Sequence, residues 1–257
     1  MNIEEITSYM YEQLNEDVSL EAVARHFHYS SSYFSRQFKK ITGVTYRKYL
    51  ESMRIQVSMR KFLMEEGNVT DVSGQVGYEY SSNFSKIFRK HTGGKAKGYK
   101  KTACVAYRLL RDFMDRKGSL WYRHLKDVDT QNRLEVSLLY PEGYKPELVF
   151  VGLFSEPLPN QVPIVGLATT NIESILLDKI PKGTYYLLAC DTSTSASFFS
   201  TFIMLDNYRG IHDSPLIFEY QSTYTVYLFM EEPQPYHPLI TVNLPKLVMD
   251  SLLKRSK

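Results

Sequence analysis

The sequence predicts a multidomain α and β chain: an all-α N-terminal region made of two helix-turn-helix units, then a mainly-β sandwich or barrel. Three observations predict it. A basic, aromatic segment occurs twice, as SSSYFSRQFKKITG at 30–43 and SSNFSKIFRKHTG at 81–93. The 22 residues at 45–66, between the copies, contain neither Gly nor Pro. Beyond residue 132, short runs of Val, Ile, Leu, Phe and Tyr alternate with Pro, Gly, Asn and Asp.

Taken in chain order, Ile3, Ile6, Met10 and Leu14 mark an amphipathic opening helix. Ser19 caps a second helix carrying Leu20, Val23, Ala24 and Phe27. Tyr29 and the following serines turn the chain, and Phe34, Phe38 and Ile41 recur at helical spacing until Gly43 ends the helix. The stretch Thr45–Glu66 reads as one connecting helix of about 33 Å at 1.5 Å per residue. Its apolar positions change face, from Tyr46, Leu50, Met53 and Val57 to Ile55, Met59, Phe62 and Leu63. Asn68 or Thr70 caps the next helix, with Val69, Val72 and Val76 as its stripe. A "GY" turn follows, and Phe84 and Phe88 recur before Gly93.

Shifting the sequence by 50 positions superposes Ser31, Ser32, Phe34, Ser35, Phe38, Lys40, Thr42 and Gly43 on identical residues. Such self-similarity marks a duplicated structural unit, and two short helices joined by a tight turn are the helix-turn-helix pattern. With the phenylalanines inward, Ser32, Ser35 and Arg36 fall outward in the first copy, and Ser82, Asn83 and Lys86 in the second. Small polar residues admit a helix close to base edges, Arg pairs with guanine and Asn with adenine. Lys39, Lys40, Arg89, Lys90 and Lys95 suit phosphates, which position without specifying.

Charge is distributed to match. Net charge is +3, yet residues 1–101 hold 16 Lys/Arg against 11 Asp/Glu. Between Arg36 and Lys61 stand eight basic residues and one acid, Glu51. Clustered cations of this kind serve a polyphosphate partner through counterion release.

On the residues "SLEAVARHFHYSSSYFSRQFKKITG" and "NVTDVSGQVGYEYSSNFSKIFRKHTGGKAKGYK", the chain resembles the DNA-binding domain of AraC/XylS-family bacterial transcription regulators, over about residues 3–101. The resemblance implies seven helices in two subdomains, and double-stranded DNA as partner. It also implies a cytoplasmic, nucleoid-associated activator, with RNA polymerase as a further contact. Carried over, Ser32, Ser35, Arg36, Ser82, Asn83 and Lys86 read bases. The family usually places Pro shortly after each terminal glycine; here Tyr46 and Ala96 stand nearby, which predicts weaker local order, and "GGKAKGYKK" reads as loose.

The rest divides into a helical connector at 102–127, with its helix at Cys104–Lys117, and a β-rich companion at 128–257. "VDTQN" at 128–132 reads as a turn. Eight strand-like runs follow: RLEVSLLY, ELVFVGLF, VPIVGLAT, ESILLDKI, GTYYLLACD, SFFSTFIML, PLIFEY and TYTVYLFM. One hairpin, around "LDKIPKGTYYLLACD", is similar to prealbumin-like or carboxypeptidase-regulatory-like sandwiches. The tyrosines at 185, 186, 220, 224 and 227 fill a core or an interface, or stack a ligand. "DTSTSAS" at 191–197 reads as a polar loop, and LPKLVMDSLLKRSK as a short terminal helix.

His124, His212 and His237 lack metal-ligand spacing, and no nucleophile elbow or phosphate loop is present, so no cofactor and no enzyme activity are expected. Cys104 and Cys190 read as reduced thiols. No signal peptide and no membrane partner are expected. The reading is a sequence-specific regulator that sets two recognition helices into successive major grooves, under a companion that binds a small-molecule effector, pairs protomers into a homodimer, or contacts another protein. The alternatives are a carbohydrate- or ligand-binding module, or an enzyme, tethered to DNA.

Overall fold

The computed structural model describes residues 1–65, 67–116, 118–124, 130–160, 162–192, 202 and 207–255, with the backbone alone at 253–255. It divides into two compact units. The first comprises Met1–Lys100 together with Gln234–Val242; the second comprises Lys101–Pro233 and Asn243–Lys257. No described helix is long and apolar enough to cross a membrane.

The first unit is helical: α1 (Ile3–Glu12), α2 (Leu20–His26), α3 (Ser31–Thr42), α4 (Tyr46–Met64), α5 (Val69–Gln75) and α6 (Ser81–Thr92), followed by the start of α7 (Tyr99–Asp115). Caps set the boundaries. Ser19 accepts from the Ala22 N–H, Ser30 from Tyr33 and Thr45 from Lys48. Asn68, rather than Thr70, caps α5, accepting from Thr70 and Asp71. Gly43 and Gly93 end α3 and α6 in the left-handed region, at φ of 74° and 66°.

The duplication is structural as well as sequential. Tyr29 N–H donates to the Ala24 carbonyl, as Tyr78 does to Ser73. Thr42 and Thr92 both turn their hydroxyls back to the carbonyl four residues earlier, at 2.8 Å. The repeat also reaches further than the paired motifs. Ile6, Met10 and Leu14 of the opening segment recur 49 positions on as Ile55, Met59 and Leu63, and all six are buried. Tyr46 and Tyr49 at the start of α4 answer to Ala96 and Tyr99 around the start of α7, and all four are buried. Helix α4 is therefore two elements fused: it closes the first unit of the repeat and opens the second.

Ring packing follows this division. Phe38 meets Tyr46 and Tyr49 at 5.3 and 5.2 Å between centroids. Phe88 meets Phe62 and Tyr99, both at 5.8 Å. Each trio of edge-on aromatics adds about 0.5–1.5 kcal/mol per pair beyond the area it buries.

Several expectations are corrected. Helix α4 has 19 residues, about 28 Å rather than 33 Å; its chain turns extended at Glu65, with ψ 155°, and Glu66 lies outside the described residues. Its inner face uses Tyr49, Ser52 and Ser58, while Leu50 and Val57 are only half-buried. Ile41 is 36% exposed, because Thr42 takes the buried place in the last turn of α3. Thr45 starts α4 without a proline, and the stretch read as loose buries Ala96 and starts α7 at Tyr99 rather than Cys104.

The second unit carries nine strands among the described residues: β1 (Ser119–Arg123), β2 (Arg133–Leu139), β3 (Leu148–Phe154), β4 (Val165–Thr169), β5 (Ile175–Asp178), β6 (Gly183–Thr192), β7 (Arg209–Ile211), β8 (Leu216–Phe218) and β9 (Thr223–Phe229). A last helix, α8 (Leu244–Arg255), packs on β1. One sheet runs β1-β4-β3-β6-β7, with β8 added on β6; the other runs β5-β2-β9, in which β2 and β9 are parallel. Both sheets feed one apolar cluster, including Leu134, Val136, Val151, Leu153, Leu187, Phe218 and Leu228. Fully buried Asn132 stitches its edge, donating to the Ile180 and Glu219 carbonyls and accepting from the Ser222 N–H.

Seven of the eight strand-like runs contain a described strand. The run SFFSTFIML, apart from Phe202, which is buried and helical rather than extended, and most of DTSTSAS lie outside the described residues, as do residues 128–129 of the expected turn. Strands β1 and β7 were not anticipated: β1 falls in the stretch read as helical connector, and β7 in a stretch read as separator. Tyr185 is core, but Tyr220 and Tyr227 are 66% and 65% exposed.

Candidate nucleic-acid interface

The candidate interface is the outer face of α3 and α6. Phe34 and Phe38 anchor the inner face of α3, and Phe84 and Phe88 that of α6, all at 0% exposure. A helix pinned along one stripe must present the opposite stripe to solvent. Ser32 and Arg36 are exposed on α3 with Ser35 half-buried; Ser82, Asn83 and Lys86 are exposed on α6. Lys39, Lys40, Arg89, Lys90 and Lys95 are exposed as well. The expected residues thus fall on two like faces, one per repeat.

One lysine is already engaged. Lys90 Nζ lies 3.1 Å from Glu51, and His91 Nε2 donates to the same carboxylate at 2.6 Å. The His91 bond first, and Lys90 after it, hold the Glu51 carboxyl down to about 2. The single acid of the first basic run is therefore a fastener between α4 and α6. The other ring nitrogen of His91 meets the Thr241 hydroxyl at 3.2 Å, and the Tyr49 hydroxyl donates to the Pro235 carbonyl at 3.0 Å. The segment Gln234–Val242 is thereby tied to both α4 and α6. Its partners lie 186 and 150 residues away along the chain, a separation that carries no sequence signal.

Two exposed aromatics were missed. Tyr33, 41% exposed, occupies the place in α3 that Asn83 holds in α6, and Tyr80, 65% exposed, stands at the N-cap of α6 in place of Ser30. The 50-residue offset was the signal for Tyr33. A tyrosine ring at such a position offers apolar contact to a thymine methyl, where Asn offers an amide.

The two copies meet beside Gly77. Its φ is +80°, and a Cβ there would lie 2.4 Å from the Leu14 carbonyl and 2.7 Å from the Arg54 guanidinium. Arg54 also lies over the Tyr78 ring, at 5.4 Å. The equivalent residue in the first copy, His28, is left-handed too, at φ 59°.

Residues 23–102 match the family model described as a helix-turn-helix domain. The chain is 30% identical over 95 residues to the uncharacterized HTH-type transcriptional regulator YobQ of Bacillus subtilis, covering 37% of this chain and 39% of that one. It is 31% identical over 85 residues to the HTH-type transcriptional activator RhaS of Escherichia coli, covering 33% of this chain and 31% of that one. The chain thus spans between about three and four tenths of the length of these relatives. Among solved structures, the C-terminal domain of AraT, a response regulator from Geobacillus stearothermophilus, aligns at 26% identity and a TM-score of 0.38, over 39% of this chain and 84% of that one. The DNA-binding domain of AdpA, solved with a target DNA, aligns at 24% identity and a TM-score of 0.38, over 43% and 96%. The N-terminal part of this chain is a helix-turn-helix domain of the AraC type.

Proposed function

We propose that the chain is a sequence-specific transcription regulator whose α3 and α6 enter successive major grooves of one duplex, modulated by the strand-rich unit. The observation that carries the reading is the fused helix α4, which supplies a wall to both phenylalanine cores. At about 28 Å it approaches the roughly 34 Å of one turn of B-DNA. In this reading Ser32, Ser35 and Arg36 read one half-site, and Ser82, Asn83 and Lys86 the other. Lys39, Lys40, Arg89, Lys90 and Lys95 bind phosphates. Residues 1–101 bind DNA, the sheets form a sandwich over the shared cluster, and Gln234–Val242 ties the companion's chain to the reading unit. An effector acts here only if its affinity differs between DNA-competent and incompetent arrangements.

Selection of bound sequences from random duplex DNA by the full chain tests this. The recovered sites should hold two conserved blocks about 10–10.5 base pairs apart. Arg36→Ala should cost about 1–3 kcal/mol and relax one block only, and Lys86→Ala the other. Recovery of single-block sites, or loss of both blocks from one substitution, would overturn the two-groove reading.

A further inference from the structure

In the strand-rich unit, three tyrosine rings cluster beside one carboxylate. Tyr140 follows β2, Tyr144 lies in the turn between β2 and β3, and Tyr208 precedes β7. Ring centroids are 5.2 Å apart for Tyr140 and Tyr144, 4.3 Å for Tyr144 and Tyr208, and 5.9 Å for Tyr140 and Tyr208. The carboxylate is Asp191, near the end of β6, with 0% exposure. Its backbone is fixed by the residues that bring in the third ring: its N–H donates to the Tyr208 carbonyl at 3.1 Å, and its carbonyl accepts from Asn207 at 2.6 Å. The Tyr144 hydroxyl donates to Oδ2 at 2.7 Å. Neither Oδ1 nor the Tyr140 hydroxyl has a hydrogen-bond partner in good geometry, although the Tyr140 hydroxyl stands close enough to interact with the Asp191 carboxylate.

Among the described residues Asp191 has no ion-pair partner. The arginine nearest in register, Arg209, stands opposite Cys190, whose side chain leaves β6 on the other face. Burial, outweighing the tyrosine hydrogen bonds, pushes the Asp191 carboxyl above the usual carboxylate range. Burial likewise pushes the Tyr140 and Tyr144 hydroxyls up. A buried carboxylate without a counter-charge is costly, and a buried polar atom without a partner calls for a reason.

The chemistry of the set is selective. Aromatic faces attract cations and give nothing to anions. The free Oδ1 accepts an N–H, which a protonated amine supplies and a quaternary ammonium does not. We propose that Asp191, Tyr140, Tyr144 and Tyr208 form a binding site for an organic amine in its ammonium form, carrying an apolar or aromatic group. This rests on reading the strand-rich unit as the effector-binding part.

The test is calorimetric titration of the full chain near neutral pH with phenethylamine, its N,N,N-trimethyl derivative, and neutral 2-phenylethanol. Phenethylamine should bind, the trimethyl compound more weakly, and the alcohol not measurably. Asp191→Asn removes the charge at constant shape and should weaken phenethylamine by about tenfold or more, with an unfolding midpoint no lower than that of the parent. If that variant fails to fold, Tyr208→Leu, which leaves the carboxylate in place, should weaken binding by about as much. Equal binding of all three probes, absence of amine binding, or an undiminished affinity in the variants overturns the site. DNA affinity measured with and without saturating phenethylamine separates the two readings: amine binding that leaves DNA affinity unchanged upholds the site and rejects its effector role. Failure of the amine to bind rejects the site alone, since DNA recognition by the first unit does not depend on it.

Discussion

Substituting Gly77 with alanine tests whether the two helix-turn-helix copies bear on each other. The residue sits at φ +80°, a conformation that costs an L side chain about 1 kcal/mol. The new Cβ would meet the Leu14 carbonyl at 2.4 Å and the Arg54 guanidinium at 2.7 Å. The guanidinium can swing aside, but the carbonyl belongs to the backbone of a buried residue and moves only with the end of α1. Overpacking of that kind costs about 1–3 kcal/mol, so Gly77→Ala should destabilise the helical unit by about 2–4 kcal/mol in total. With a urea m-value of about 1–3 kcal/mol/M, its midpoint should fall by about 1–4 M. Two probes resolve the units in the full chain: ellipticity at 222 nm follows the helices, and the single tryptophan, Trp121 in β1, follows the sheets. The ellipticity transition should move while the Trp121 transition holds. His28 is the internal control: it has the same backbone sign, at φ 59°, but its side chain is exposed. His28→Gly should therefore change stability by no more than about 1 kcal/mol. If Gly77→Ala shifts the ellipticity midpoint no more than His28→Gly does, the two copies are not held in contact at this point.

Two further outcomes follow from Glu51. Lys90 already has that carboxylate at 3.1 Å whereas Lys39 has no ion pair among the described residues, so Lys39→Ala should lower the slope of log K against log salt by about one, and Lys90→Ala by clearly less; equal slopes from filter binding across a salt series would refute the difference. The Glu51 carboxyl is held down to about 2, so the stability it confers is fully present above its unfolded value, near 4.5, and is lost as pH falls toward 2; acid titration of the 222-nm signal should show a shallower loss in Glu51→Gln than in the parent over that window, and parallel curves would remove the fastener from the account.

The helical repeat was legible because its information is local. Caps, left-handed glycines and the i, i+3, i+4 spacing of Phe34 and Phe38 lie within one or two turns of each other, and each unit's copy verifies the other. The same local logic found the outer faces of α3 and α6, since pinning one stripe exposes the opposite one. It failed at Ile41 and at Leu50, where which residue of a turn is inward depends on the neighbouring helix. The change of apolar face along α4 did show that its two halves pack different bundles, but not that Ile6, Met10 and Leu14 recur as Ile55, Met59 and Leu63, buried in the same roles.

By itself, then, the sequence determined that there are two like helical units, how each is capped and which side chains they turn outward, for the hydrogen bonds of a helix close within four residues. Only tertiary structure decided that three-residue β7 is a strand, that Gln234–Val242 returns to Tyr49 and His91, and that Asp191 lies buried beside a cluster of three tyrosines. Those features depend on groups tens to nearly two hundred residues apart, and no periodicity along a chain encodes which distant atoms will meet.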